Sequence, residues 1–241
     1  TATAGFKQTD RPDLVLIEMA AGSTCAAVFT QNAFCAAPVV VAREHQAKSV
    51  PRYLLINSGN ANAGTGKQGY AVSQVSCEAV AIAAACSATE VLPFSTGVIG
   101  ELLAIDKLKA AVPQAYANLS EDAWLDAASA IMTTDTLSKG ISQQCTIDGK
   151  VITVTGMAKG SGMIRPNMAT MLAYVATDAA VSQEVLDACL KKAVNQSFNR
   201  ITVDGDTSTN DACVLMASGA AGNSLINDEK TDAATTLFET V

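Results

Sequence analysis

The residues best placed to do chemistry in this sequence lie at 157–178, MAKGSGMIRPNMATMLAYVATD, where a glycine- and lysine-bearing loop leads through a proline turn to Thr170. A threonine hydroxyl is a weak nucleophile without a base at hand. If the bond between Ala169 and Thr170 is cut, the freed α-amine, with an ordinary pKa of about 7.7 to 8.0, suits a general base near neutral pH. One residue then supplies both nucleophile and base. Self-cleavage needs the hydroxyl held against the preceding carbonyl, hence a tight turn before the threonine and a rigid element after it. Pro166 provides the turn and MLAYVAT the element. The plainer reading is that Thr170 opens a strand, as β-branched residues often do.

Other chemistries are narrowed by what the chain lacks. Its one histidine, His45, sits in the polar stretch VAREHQAK and is expected to face solvent, away from any triad. In GNANAGTGKQG (59–69), Gly59 and Gly64 have phosphate-loop spacing, yet Thr65 stands where a lysine is required and Gln68 follows Lys67, so a structural Gly/Asn turn is expected. DGDTSTND (204–211) begins like a calcium loop but has Thr209 at the sixth position and Leu215 at the twelfth. STGVIG (95–100) reads as a small-residue turn whose backbone N–H groups are able to face an oxyanion. Seven cysteines, an odd number with no C-x-x-C, suggest buried free thiols in a reducing cytosol and no metal site.

The elements that must position these residues are short. Strand-like runs appear at DLVLIEM, AAVFT, APVVVA, YLLIN, VITVT, MLAYVAT and CVLMAS. Residues 71–86 predict a helix burying Val72, Val75, Ala79, Ile82 and Cys86; Ser120 predicts the cap of a helix carrying Trp124, Ala128 and Ile131; Ser182 predicts the cap of one burying Val185, Cys189 and Val194. Strands and helices mix without a strict βαβ rhythm, which favours a layered α/β sandwich over a doubly wound sheet. At 241 residues the chain can bury a substantial core. No run approaches the ~18 apolar residues of a membrane helix. Net charge is −7 and the basic residues are scattered, so neither a membrane nor a nucleic acid is expected as partner. The opening residues TATAGFKQTD show no secretory pattern, and a cytoplasmic location is expected.

Taken together, AAVFTQNAFCAAPV (26–39), INSGNANAGTG (56–66), STGVIGE (95–101), IMTTDT (131–136), GMAKGSGMIRPNMATML (156–172) and SFNRITVDGDTSTND (197–211) resemble the ornithine acetyltransferase family, also called glutamate N-acetyltransferase, of the arginine pathway. The resemblance implies a layered αββα sandwich (α+β) of the DmpA/ornithine-acetyltransferase type and a precursor that cuts itself between Ala169 and Thr170. Residues 1–169 would be the α chain and 170–241 the start of the β chain, two of each forming an α2β2 heterotetramer. Thr170 would take acetyl from N2-acetylornithine, release ornithine and pass the group to glutamate, giving N-acetylglutamate. Thr96 and Gly97 match the oxyanion-stabilising pair, Lys159 a substrate-binding lysine, and Thr133 or Thr134 of TTDT a substrate contact. No cofactor is implied, and acetyl-CoA is left open as a second acetyl donor. The resemblance also implies a parent chain that continues beyond Val241 with further site residues, and a cysteine where this sequence has Gly64. Two competing expectations are an N-terminal-nucleophile aminopeptidase or amidase of related fold, and a non-catalytic nucleotide-binding module built on 59–69.

Overall fold

Side-chain alternation along the extended runs decides how the sheets are covered. At 53–56, Leu54 and Ile56 turn to one face and Tyr53 and Leu55 to the other; at 172–174, Leu172 and Tyr174 oppose Ala173. Both faces of these strands are apolar, so each sheet must be buried on two sides. The computed structural model describes residues 1–7, 11–165 and 171–241. Among them, β1 (Leu14–Glu18), β3 (Tyr53–Asn60) and β4 (Val91–Val98) form a three-stranded sheet in the order β1-β3-β4, antiparallel then parallel. The strands β2 (Thr24–Phe29), β5 (Lys139–Ile147), β6 (Lys150–Lys159), β7 (Leu172–Thr177) and β8 (Ala212–Ala217) form a second sheet in the order β2-β8-β7-β6-β5. Only its β7–β8 pair is parallel, with Leu172 opposite Ala212.

The sheets face each other. Val15, Leu54, Ile56 and Phe94 of the smaller meet Met157, Leu172, Tyr174 and Val214 of the larger, and the Phe94 and Tyr174 rings touch edge to face at 5.3 Å. The described chain also holds six α-helices: α1 (Ala37–Gln46), α2 (Gly66–Ala84), α3 (Ile105–Ala117), α4 (Trp124–Ala130), α5 (Gln183–Gln196) and α6 (Asp232–Thr240). α2 and α3 bury the outer face of the smaller sheet through Cys77, Val80, Leu108 and Val112, while α5 and α6 bury that of the larger through Leu186, Leu190 and Leu237. Each such aliphatic side chain contributes roughly 1.5–3 kcal/mol when fully removed from water. The result is the expected αββα sandwich. α1 lies against β4, and α4 feeds Ala127 and Ala128 into the core between the sheets. No helix among the described residues is long and apolar enough to cross a membrane.

Ser182 caps α5 by accepting the Val185 N–H, and Val185, Cys189 and Val194 are buried as the spacing predicts. Four local expectations are corrected. APVVVA is helix, not strand, because Pro38 presets the first turn and the following residues pack on β4. α2 begins earlier and buries a face turned by about one position, Ser73, Ser76, Cys77 and Val80, leaving Ile82 83% exposed. That face is small because α1 and α3 pack closely on it, so a count of large apolar residues misplaces it. Ser120 closes a turn on the Asp122 N–H, and α4 starts only at Trp124 with Ala123 as its cap. His45 is buried, with Nδ1 2.8 Å from the Val91 carbonyl oxygen; it pins α1 to β4.

Candidate active site

The ends of β3, β4 and β6, the approach to β8 and the loops 133–135 and 160–164 converge on a cavity of about 590 Å³. Four of the sequence-predicted residues line it with Lys159: Thr96, Gly97, Thr133 and Thr134. Ala169 and Thr170, like Pro166, lie outside the described residues; β7 starts two residues after Thr170.

STGVIG is not a turn. Ser95 to Val98 continue β4 alongside β3, and only Ile99 and Gly100 leave it. The pairing is unusually close at Gly97, whose φ is +136° and where a Cβ would lie 2.2 Å from the Gly59 carbonyl carbon. No side chain fits there. The buried amides around this point hold one another. Asn210 donates from Nδ2 to the carbonyls of Ala61 (2.7 Å) and Ser95 (2.9 Å), Ser95 Oγ donates to Asn57 Oδ1 (2.6 Å), and Asn57 Nδ2 donates to the Asn60 carbonyl (2.8 Å). The residues leading into β8 are thereby tied to the ends of β3 and β4. The 59–69 segment, weighed above as a nucleotide loop, turns its polar groups inward: Asn62 Nδ2 donates to Gly69 O and Ser73 Oγ, and Thr65 Oγ1 donates to Asn62 Oδ1.

Lys159 ends β6 at 6% exposure and donates from Nζ to Thr96 Oγ1 at 3.1 Å. A hydroxyl that accepts from an ammonium keeps its own proton for another acceptor. Burial pushes the Lys159 pKa down, against the opposing charges of Asp135 and Asp211. Asp135, which motif reading passed over in favour of its neighbours Thr133 and Thr134, organises this corner. Its carboxylate accepts the Gly160 N–H at 2.8 Å, the Lys139 ammonium and, at 3.4 Å, the Thr133 N–H. Burial favours its neutral form, but Lys139, the Gly160 N–H and the Lys159 charge outweigh that and hold it below the usual carboxylate range. Thr134 Oγ1 meets Ser161 Oγ at 2.6 Å, and Asp204 accepts the Met163 (2.6 Å) and Ile164 (2.9 Å) N–H groups, fixing the loop after Lys159.

Two further residues escaped sequence reasoning. Lys7 reaches the cavity because Asp13 accepts its N–H and that of Ala4, while its Nζ donates to Ala130 O at 2.8 Å. Burial lowers its pKa, with Asp13 opposing. Asp211 is almost wholly buried, and its Oδ2 has no hydrogen-bond partner. Burial raises its pKa to about 7, opposed by the nearby Ser208 hydroxyl, Met171 N–H and Lys159 charge. The signal for Ser208 to Asp211 was present in DGDTSTND, but a calcium-loop template hides residues that act through amides and a single carboxylate.

A cleft that joins a buried lysine, a polarised threonine hydroxyl and glycine backbone to the start of a strand is suited to holding a carboxylate and stabilising an oxyanion. The ArgJ family pattern matches residues 1–241. The chain is 63% identical over 218 residues to the arginine biosynthesis bifunctional protein ArgJ of Methylococcus capsulatus, covering 90% of this chain and 53% of that protein. It spans about half the length of the curated relatives it matches. Among solved structures it is similar to the bifunctional protein ArgJ of Bacillus halodurans (34% identity, TM-score 0.58, 70% of this chain and 87% of that one). It is similar also to the ornithine acetyltransferase of Mycobacterium tuberculosis, crystallised with ornithine (35%, TM-score 0.55, 70% and 89%). With the family pattern matched from first residue to last and the same architecture in two solved structures, this chain belongs to the ArgJ family.

Proposed function

We propose that the parent of this chain is a glutamate N-acetyltransferase that moves acetyl from N2-acetylornithine to glutamate in arginine biosynthesis. The observation that carries this reading is the meeting of Thr96, Gly97, Lys159, Thr133 and Thr134 on one cavity, with β7 beginning two residues after Thr170 in the sequence. Two crystallised relatives are each matched over 70% of this chain, and the reading includes a cut between Ala169 and Thr170. Residues 1–169 are then the α chain and 170–241 the beginning of the β chain, assembled as α2β2 in the cytoplasm. Acetyl-CoA serves as a second acetyl donor, in keeping with relatives named bifunctional.

Chemically, the Thr170 amine takes the hydroxyl proton as Oγ1 attacks the acetyl carbonyl. The oxyanion is met by the Thr96 hydroxyl and the Gly97 N–H, the proton passes to the departing amine, and ornithine leaves. Glutamate attacks the acetyl-threonine by the same path in reverse. Lys159 holds the α-carboxylate that both amino acids carry. Intact mass and N-terminal sequencing of the full-length parent, followed by acetyl transfer from acetylornithine, test the reading. Two fragments meeting at 169/170 and glutamate-dependent ornithine release are expected. A single uncut chain, or acetyl release at the same rate with water as with glutamate, would sink it; the second result would favour an amidase.

A further inference from the structure

Lys7 and Lys159 line the same cavity, one from the segment ahead of β1 and the other from the end of β6. Among the described residues, no Asp or Glu stands at ion-pair distance from either ammonium. The acids nearby are already engaged. Asp13 gives its carboxylate to the N–H groups of Ala4, Phe6 and Lys7, and Asp135 gives its own to Lys139 and the Gly160 N–H. Asp204, the one acid on the cavity wall among the described residues, accepts the Met163 and Ile164 N–H groups. Each ammonium has three protons to donate. Lys7 Nζ gives one to the Ala130 carbonyl, which also accepts from Ser58 Oγ at 2.6 Å, and Lys159 gives one to Thr96 Oγ1. These bonds fix where the two cations sit and leave protons of both for the cavity. Closing the end of α4 at Ala130 accounts for one proton of Lys7 and not for its place on the cavity wall.

Two like charges on one partly desolvated wall are unfavourable until an anion joins them. Burial, and after it the like charges of Arg11 and Lys159, hold the Lys7 pKa down against Asp13. A ligand with a carboxylate at each end answers both cations at once. We infer that Lys7 determines specificity for the acceptor: its ammonium takes the side-chain carboxylate of a dicarboxylic amino acid whose α-carboxylate sits on Lys159. The inference rests on the proposed acetyl transfer and names what that reading leaves open, the residue that tells glutamate from other amino acids. The two amino acids that use the cavity in turn are alike at Cα and differ at the far end, where ornithine carries an ammonium and glutamate a carboxylate. Beside Lys7 the first is repelled and the second is held. One charge thus supplies both the attractive and the repulsive element of the choice, helping ornithine leave the acetylated site and glutamate enter it.

The test uses the full-length parent protein, as wild type, Lys7→Met, Lys7→Gln and Lys7→Arg. Acetyl transfer from acetylornithine is measured to glutamate and to glutamine, its neutral isostere, together with inhibition by ornithine. In Lys7→Met, kcat/KM for glutamate is expected to fall about ten- to a hundredfold, mainly through KM, as a charged hydrogen bond is lost. The preference for glutamate over glutamine should shrink by the same factor while ornithine inhibits more tightly, and Lys7→Arg should keep the preference. A role in packing alone would weaken glutamate, glutamine and ornithine together, and that result overturns the inference. A wild type that acetylates glutamate beside a Lys7→Met protein with an unmoved preference also overturns it and leaves the proposed function standing. A wild type that transfers no acetyl to glutamate overturns both. Should Lys7→Met fail to fold for want of the bond to Ala130, Lys7→Gln carries the same comparison, since its amide can donate to that carbonyl without the charge.

Discussion

Lys159 Nζ stands 3.1 Å from Thr96 Oγ1, with both side chains buried at the cavity wall. The ammonium occupies a lone pair of the hydroxyl oxygen, so the Thr96 proton is directed to another acceptor and is made more acidic by the neighbouring charge. Thr96→Val keeps the shape and removes that donor. Its kcat for acetyl transfer is expected to fall about a hundred- to a thousandfold with KM nearly unchanged, while Thr96→Ser retains most of the rate. Steady-state kinetics on processed protein read this directly; an unchanged kcat in Thr96→Val removes Thr96 from the oxyanion role.

Lys159→Met should raise KM for substrates bearing an α-carboxylate and abolish the preference for acetylornithine over an N-acetylated amine that lacks the carboxylate. Because burial lowers the Lys159 pKa, wild-type kcat/KM is expected to decline on the alkaline side below the usual lysine range, as the cation is lost. The variant should lack that decline, and a retained alkaline limb would assign it to another group.

Two glycines of one motif separate crowding from backbone strain. Gly97→Ala drives a methyl group into the Gly59 backbone, and a loss of about 3 kcal/mol or more is expected in urea unfolding. Gly100 also has positive φ, +86°, but a Cβ there meets nothing within 4 Å. Gly100→Ala should therefore cost only about 1 kcal/mol, the penalty of a left-handed alanine.

Asp211 links stability to pH in the uncut precursor, here Thr170→Ala. Its pKa is raised from 3.8 to about 7, chiefly by burial, so the folded chain holds the proton more tightly than the unfolded one. This contribution is fully present below pH 3.8 and is lost as pH rises toward 7. Adding Asp211→Asn removes the titration. Relative to the Thr170→Ala parent, the double variant should gain roughly 2 to 3 kcal/mol between pH 5 and 7.5, at about 1.4 kcal/mol per pKa unit. Paired urea melts at the two pH values measure it, and an identical difference at both would show that Asp211 is ionised throughout.

Much of this architecture is legible in local chemistry, and the exceptions have causes. YLLIN, VITVT, MLAYVAT and CVLMAS form strands because their apolar residues serve two faces, and Ser182 caps α5 because its oxygen has an orphan N–H to accept. β4 was missed because its second half is small and polar where it closes on β3, and β5 because, as an edge strand, it is exposed along most of its length. APVVVA has strand composition, but the tertiary surface of β4 and the proline at its start decide for helix. At the site, motif reading finds the residues that would touch substrate, Thr96, Gly97 and Lys159. It overlooks Asp135 and Asp211, whose importance comes from what lies opposite them in space.

The larger sheet weaves together strands from both sides of residue 170. β7 and β8, which follow it, sit between β2 and β6, which precede it. Chain continuity is therefore not what holds these strands in place: β7 is hydrogen-bonded to a strand of the earlier segment on one side and to its own segment on the other. A break ahead of β7 would leave every rung of the ladder intact and yield two polypeptides that share one sheet, neither with a complete core of its own. Such fragments would copurify, melt in a single transition and separate only on full denaturation. Once parted, they would have to find each other again as a bimolecular reaction, so the precursor's single covalent chain matters for folding once and not for stability thereafter.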